Sequence, residues 1–341
     1  MAVQPQFCNP ISSAGSPNNS SNDTLARLTA YLADDLEQVD RWIRMAFESE
    51  VALTNEVGRH VQAGSGKRLR PMLTLLASRL SGNRIEAAVR AAAIVELIHV
   101  ASLVHDDVID RAPLRRGSPT VNAKWNSDVA ILMADYIYSR AFEIAFECLP
   151  SPLLAILCRV AATMCDGEMF QIEKRDQRLT EEDYLYIIRC KTAGLFSACT
   201  RLGSALAQAD ESSVAALERY GLHVGCAFQI TDDVLDLTAD PARLGKKIGT
   251  DIACGKQTLP LIHAIEKADA EDRAFLLAAL KNEPSSEGIV ERVVKYRGIE
   301  YALDVARRYA QQARECLVGL PDGRAVELLR ELTTLVVNRA Y

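Results

Sequence analysis

Two short segments carry the residue types from which a metal-assisted reaction could be built. Asp106-Asp107-Val-Ile-Asp110 and Asp232-Asp233-Val-Leu-Asp236 share the pattern DDxxD, and each follows a long apolar stretch. On a helix, residues four apart lie on one face, so Asp106 points with Asp110 and Asp232 with Asp236. As structure this is a poor choice. Like charges at that spacing destabilise a helix, carboxylates near its C-terminus oppose the macrodipole, and apolar neighbours desolvate them. One copy would suit a solvated acidic helix end; two copies, each behind a buried helix, require a compensating cation. Oxygen ligands without thiolate or imidazole select a hard ion, and magnesium typically takes one or two carboxylates together with substrate phosphates.

Basic residues accompany both acidic clusters. Arg115-Arg116-Gly117 follows the first, and Gly245-Lys246-Lys247 with Gly255-Lys256 follows the second. Lys67-Arg68-Leu69-Arg70 and Lys191-Thr192 add further donors. Arginine grips phosphate oxygens in pairs and lysine adds a point charge, so the arrangement fits an anionic substrate bound through metal and side chains together. Gly64-Ser-Gly-Lys67 is not a nucleotide-binding P-loop, because Val61 and Arg68 stand at the wrong positions and no strand precedes it.

Long helices must position these groups. Apolar residues recur at helical spacing from Leu25, Leu28, Leu32, Leu36, Val39 and Ile43 onward, with Asp23 as the expected N-cap. The pattern predicts helices over about 51–63, 68–80, 84–110, 120–148, 153–176, 181–207 and 212–238. A C-terminal set follows from Thr258, broken near Pro284, Gly298 and Pro321. The stretches 84–104 and 219–231 are apolar on nearly all sides, as central helices of a bundle are. Only 18 glycines in 341 residues, and no sustained alternation, make the expected fold all-α. Residues 1–22, uncharged and rich in Ser, Asn and Pro, read as a disordered tail before one domain at 23–341.

Composition excludes several functions. A net charge of −6 argues against a nucleic-acid binder with a basic surface. Nine scattered cysteines without a CxxC pair suit neither a disulfide framework nor a zinc site, so a cytoplasmic location is expected. No uninterrupted apolar run has the length of a transmembrane segment.

With these motifs the sequence closely resembles the trans-isoprenyl diphosphate synthases, or polyprenyl synthetases. The resemblance rests on GKRLRP at 66–71, Glu96-Leu-Ile-His99, DDVIDRAPLRRGSPT at 106–120, KT at 191–192, FQITDD at 228–233, DDVLD at 232–236 and GKKIGTDIACGKQTLP at 245–260. It covers roughly residues 25–340 and implies a helical bundle around a central cavity, used as a homodimer. It further implies condensation of isopentenyl diphosphate with an allylic diphosphate, using magnesium, about three ions with substrate bound. On this resemblance Lys67, Arg70, His99 and Arg116 form the isopentenyl diphosphate site. Arg115, Lys191, Thr192, Gln229, Lys246 and Lys256 reach the allylic diphosphate, with Lys247 an alternative to Lys246. Asp106, Asp110 and Asp232 hold the ions, while Asp107, Asp233 and Asp236 complete the catalytic clusters. The departing diphosphate is the expected base.

Product length depends on what lines the cavity. Ala101 and Ser102, five and four residues before Asp106, are small where relatives with bulky aromatics make short products. An open tunnel predicts a long chain of about six to ten isoprene units. The alternative is a farnesyl or geranylgeranyl product, with Tyr136, Tyr138 or Phe142 closing the tunnel. A terpene cyclase would leave the Lys67/Arg70/Arg116 site without purpose. A non-catalytic regulatory subunit would be expected to have lost one cluster or the basic site.

Overall fold

The apolar series from Leu25 to Ile43 folds as two helices in the computed structural model, which describes residues 17–64, 66–80, 82, 84–175, 177–238, 255–280 and 286–338. α1 (Pro17–Tyr31) and α2 (Ala33–Ala46) meet at the fully buried Leu32, whose φ of −109° and ψ of 12° leave the helical region. α1 begins at Pro17, where a missing N–H costs nothing in a first turn. Asp23 therefore lies inside the helix instead of capping it, and the last six residues of the expected tail are helical. Residues 1–16 lie outside the described residues.

α3 (Ala52–Ala63), α4 (Leu69–Ser78) and α5 (Glu86–Ile109) follow. A short antiparallel hairpin then pairs β1 (Leu114–Arg115) with β2 (Ser118–Pro119), Arg115 opposite Ser118. The single helix expected at 120–148 divides into α6 (Val121–Lys124) and α7 (Ser127–Cys148). One cap starts α6 and a second, at Asn126, starts α7 and makes the division. The Thr120 hydroxyl accepts from Ala123 N at 3.3 Å, and Asn126 Oδ1 accepts from Val129 N at 2.8 Å.

α8 (Ser151–Glu173), α9 (Glu181–Ile188), α10 (Gly194–Leu206) and α11 (Glu211–Thr238) complete the inner bundle. Between α9 and α10, where one helix was expected, Arg189–Ala193 winds as a π-helical turn. The outer set is α12 (Leu259–Lys267), α13 (Ala270–Ala279), α14 (Ser286–Lys295), α15 (Gly298–Cys316) and α16 (Arg324–Val337).

The two aspartate-bearing helices occupy the middle, as their composition predicts. α5 packs on α2, α4, α7 and α10; α11 packs on α10, α15, α16 and the π-turn. Thus α10 touches both. α5 is long and apolar enough to cross a membrane, but 67% of its apolar window is buried inside the protein. Its neighbours account for its apolarity. Gly225 of α11 shows why the packing is tight: a Cβ there would lie 2.5 Å from the Ala193 Cα. Only glycine lets the π-turn approach this closely, one helical turn before Gln229.

Candidate active site

The first cluster forms the end of α5. Asp106 and Asp107 lie in its last turn and Asp110 follows as the C-cap. This is the electrostatically unfavourable place, and cations from distant segments offset it. Arg115 Nε donates to both oxygens of the buried Asp107, at 2.9 and 3.0 Å. Lys256 Nζ donates to Asp110 Oδ2 at 2.8 Å from 146 residues away. Gln257 fixes that lysine's backbone by accepting from Leu179 N at 3.0 Å and donating to Gln177 O at 2.7 Å. Asp106 is pushed up to about 6, first by burial and then by the nearby Glu168 carboxylate, although Lys191 opposes the shift.

The second cluster lies in the last turns of α11. Asp232 is exposed, Asp236 half-buried and Asp233 buried. Tyr184 OH donates to Asp233 Oδ2 at 2.6 Å and Gln229 Nε2 donates to Asp233 Oδ1 at 2.8 Å. The Thr192 hydroxyl donates to Gln229 Oε1 at 2.8 Å. One chain of hydrogen bonds therefore runs from the π-turn to the aspartates. Beside Thr192, Lys191 donates to Gln171 Oε1 at 3.0 Å and pairs with Glu168. π-turns are rare and concentrate at functional sites.

Four arginines gather around His99. Burial, followed by the guanidiniums of Arg70, Arg115, Arg116 and Arg68, holds this imidazole well below the usual histidine range. That setting disfavours the charged imidazolium. Arg70 lies over the Phe196 ring at 4.9 Å, and Arg116 Nη1 donates to Gly64 O at 2.6 Å. Lys67 is exposed on the turn before α4. Lys246 and Lys247 lie outside the described residues.

Arg116 has φ 52° and the following Gly117 φ 79°. A two-residue hairpin turn with both φ values positive is type I′, which favours Asn, Asp or Gly over arginine. Arg68 and Arg111 also have positive φ, 55° and 50°. A non-glycine residue there costs about 1–3 kcal/mol, and such strain concentrates at functional sites.

Beside the first cluster, α5, α7 and α8 border an open depression of about 470 Å³ lined by His105, Asp135, Tyr138, Ser139, Ala161, Ala162 and Cys165. The Tyr138 ring stacks on His105 at 6.0 Å and on Phe142 at 6.5 Å. Tyr136 instead donates to Glu48 O at 2.7 Å, toward the α2–α3 connection. Ala101 is fully buried and Ser102 half-buried.

Glu168, Gln171 and Tyr184 were not among the residues expected from sequence. Their spacing three residues apart on α8 was the one available signal for Glu168 and Gln171, and Arg159, Asp166 and Glu173 on the same helix diluted it. Tyr184 left none. Among the described residues no three Asp, Glu, His or Cys side chains converge as a ready metal site. Asp106, Asp110 and Asp232 offer carboxylate oxygens, the donor type that hard ions prefer.

Comparison with known proteins finds relatives over nearly the whole chain. The family model described as polyprenyl synthetase matches residues 51–297. The chain is 35% identical to octaprenyl diphosphate synthase of Haemophilus influenzae, covering 91% of this chain and 96% of that one. It is 37% identical to heptaprenyl diphosphate synthase component 2 of Geobacillus stearothermophilus, covering 93% and 99%. The crystal structure of a polyprenyl synthase from Caulobacter crescentus, complexed with calcium and isoprenyl diphosphate, superposes with a TM-score of 0.88 at 35% identity, covering 92% and 98%.

Proposed function

This chain belongs to the polyprenyl synthetase family, and on that premise we propose that it condenses isopentenyl diphosphate with an allylic diphosphate, head to tail, into a long all-trans polyprenyl diphosphate. The observation that carries the reading is that the π-turn links the two aspartate-bearing helices: Lys191 lies within electrostatic reach of Asp106, and Thr192 leads through Gln229 to Asp233. Long chains are what its octaprenyl and heptaprenyl relatives are named for. The small Ala101 and Ser102, and Tyr136 turned toward Glu48, support the same length.

Asp106, Asp110 and Asp232 would hold magnesium, about three ions with substrate bound. Bound magnesium would supply Lewis-acid stabilisation of charge on the leaving diphosphate. Lys191, Thr192, Gln229, Arg115 and Lys256 orient that diphosphate, together with Lys246. Its C1–O bond breaks to leave an allylic cation. Lys67, Arg70, Arg116 and His99 present isopentenyl diphosphate so that its double bond attacks the cation and forms the new C–C bond. The departing diphosphate then takes the proton whose loss restores a double bond. Apolar helix walls exclude water, which would otherwise quench the cation.

The working unit is a homodimer in the cytoplasm. α8 exposes Ala155, Cys158, Ala162, Cys165, Met169 and Ile172 at helical spacing, and α7 exposes Ile131, Leu132 and Phe146. With Phe146 79%, Leu132 68% and Met169 67% exposed, this apolar face suits a second copy. A second reading, a catalytic chain that needs a different subunit, is favoured by the relative named as a component. The purified chain, given magnesium, an allylic diphosphate and labelled isopentenyl diphosphate, should move label into an organic-soluble product. Failure to do so with magnesium present would overturn the proposal for the chain alone.

A further inference from the structure

Arg68 lies between two residues assigned to the isopentenyl diphosphate site, yet its own side chain is directed elsewhere. Its Nη1 donates to Glu96 Oε1 at 2.9 Å, its Nε donates to Asp40 Oδ1 at 3.0 Å, and its Nη2 lies 2.9 Å from the same oxygen. The guanidinium is thus engaged on both sides by carboxylates from α5 and α2. Its backbone sits at φ 55°, ψ 36°, immediately before α4. Glu96 is only 4% exposed, so losing the Arg68 partner would leave a buried polar group unpaired on that side. Glu96 also lies one helical turn before His99 on α5.

We infer that Arg68 is a positioning residue: the Glu96–Arg68–Asp40 clamp holds the left-handed turn that sets the positions of Lys67 and Arg70. The clamp acts from the C-terminal side of Lys67. From the other side, the Arg116 guanidinium lies against Gly66, where a Cβ would come within 2.7 Å of Nη2. Two arginines therefore fix one short segment by different means. Arg116 also faces the substrate, whereas Arg68 acts only through its neighbours. This inference rests on the proposed isopentenyl diphosphate site.

Steady-state kinetics of Glu96→Gln, Arg68→Gly and Arg68→Lys test it, with Lys67→Met as the control for the site itself. Glycine tolerates the left-handed backbone but cannot clamp, so it separates side-chain positioning from relief of strain. Glu96→Gln and Arg68→Gly should raise the KM for isopentenyl diphosphate about tenfold or more, with kcat and the KM for the allylic substrate within about twofold. Arg68→Lys should recover part of the loss. If Lys67→Met raises that KM but Arg68→Gly and Glu96→Gln do not, the clamp has no positioning role. A fall in kcat with an unchanged KM for isopentenyl diphosphate would overturn it equally. If Lys67→Met leaves the KM unchanged, the site assignment itself fails.

Discussion

The two aspartate clusters have the same sequence pattern and nearly the same helix position, but their central carboxylates are held differently. Asp107 and Asp233 are each 5% exposed. A guanidinium grips Asp107, whereas Asp233 accepts from a phenol and an amide. The first cluster is also tied to Lys256, far along the chain, while the second is tied through Gln229 to the π-turn. Identical motifs therefore need not be interchangeable. Among the described contacts, charged donors hold Asp107 and Asp110, and a phenol and an amide donate to Asp233.

The outer aspartates should behave alike despite this difference. Asp106→Ala or Asp232→Ala should each lower turnover by about 10³-fold or more at saturating magnesium. Near-normal turnover in either variant would remove that residue from the metal site. Arg116→Asn comes next. Loss of a charge-assisted contact should raise the KM for isopentenyl diphosphate by roughly 10- to 100-fold. Because asparagine suits a type I′ turn, melting should show unchanged or higher stability. A large loss of stability would mean that Arg116 is chiefly structural.

Tyr184→Phe should have a smaller effect and sharpen the comparison. It removes one hydrogen bond to a buried carboxylate, worth about 1.5–3 kcal/mol. Magnesium-dependent turnover should fall about tenfold while the KM for isopentenyl diphosphate stays put. An equal rise in that KM would contradict the separation of the two regions.

The smallest effect is on the pH dependence of stability in metal-free protein. His99 lies below its ordinary 6.5, so the fold binds fewer protons there than the unfolded chain does. Stability from this group is lost as pH falls below 6.5. Asp106 lies near 6 instead of 3.8, so the fold binds more protons and gains stability as pH falls through that window. His99→Gln should therefore flatten the acid-side fall in Tm, and Asp106→Asn should deepen it. Parallel Tm profiles for both variants and the wild type would contradict these environments.

Periodicity made the central helices legible, because the stretches 84–104 at α5 and 219–231 in α11 are apolar on nearly all sides. The acidic and basic motifs were equally legible, since spacing on a helix already fixes which carboxylates share a face. What was hidden depended on contacts between distant segments. Nothing local to Lys256 indicates that it reaches Asp110, and nothing around Tyr184 indicates Asp233. The π-turn was hidden too, because one inserted residue scarcely disturbs an apolar repeat. Net charge misled at first: −6 seems to disfavour an anionic substrate, yet the aspartates recruit one through metal while local arginines touch it directly.

Product length tests the central claim most directly. Purified chain with magnesium, an allylic diphosphate and labelled isopentenyl diphosphate would be run to completion, and the dephosphorylated products separated by chromatography. The account predicts all-trans alcohols of about six to ten isoprene units, as an open apolar cavity allows. A single product of three or four units would contradict it and point to Tyr138 or Phe142 as the floor of a short tunnel.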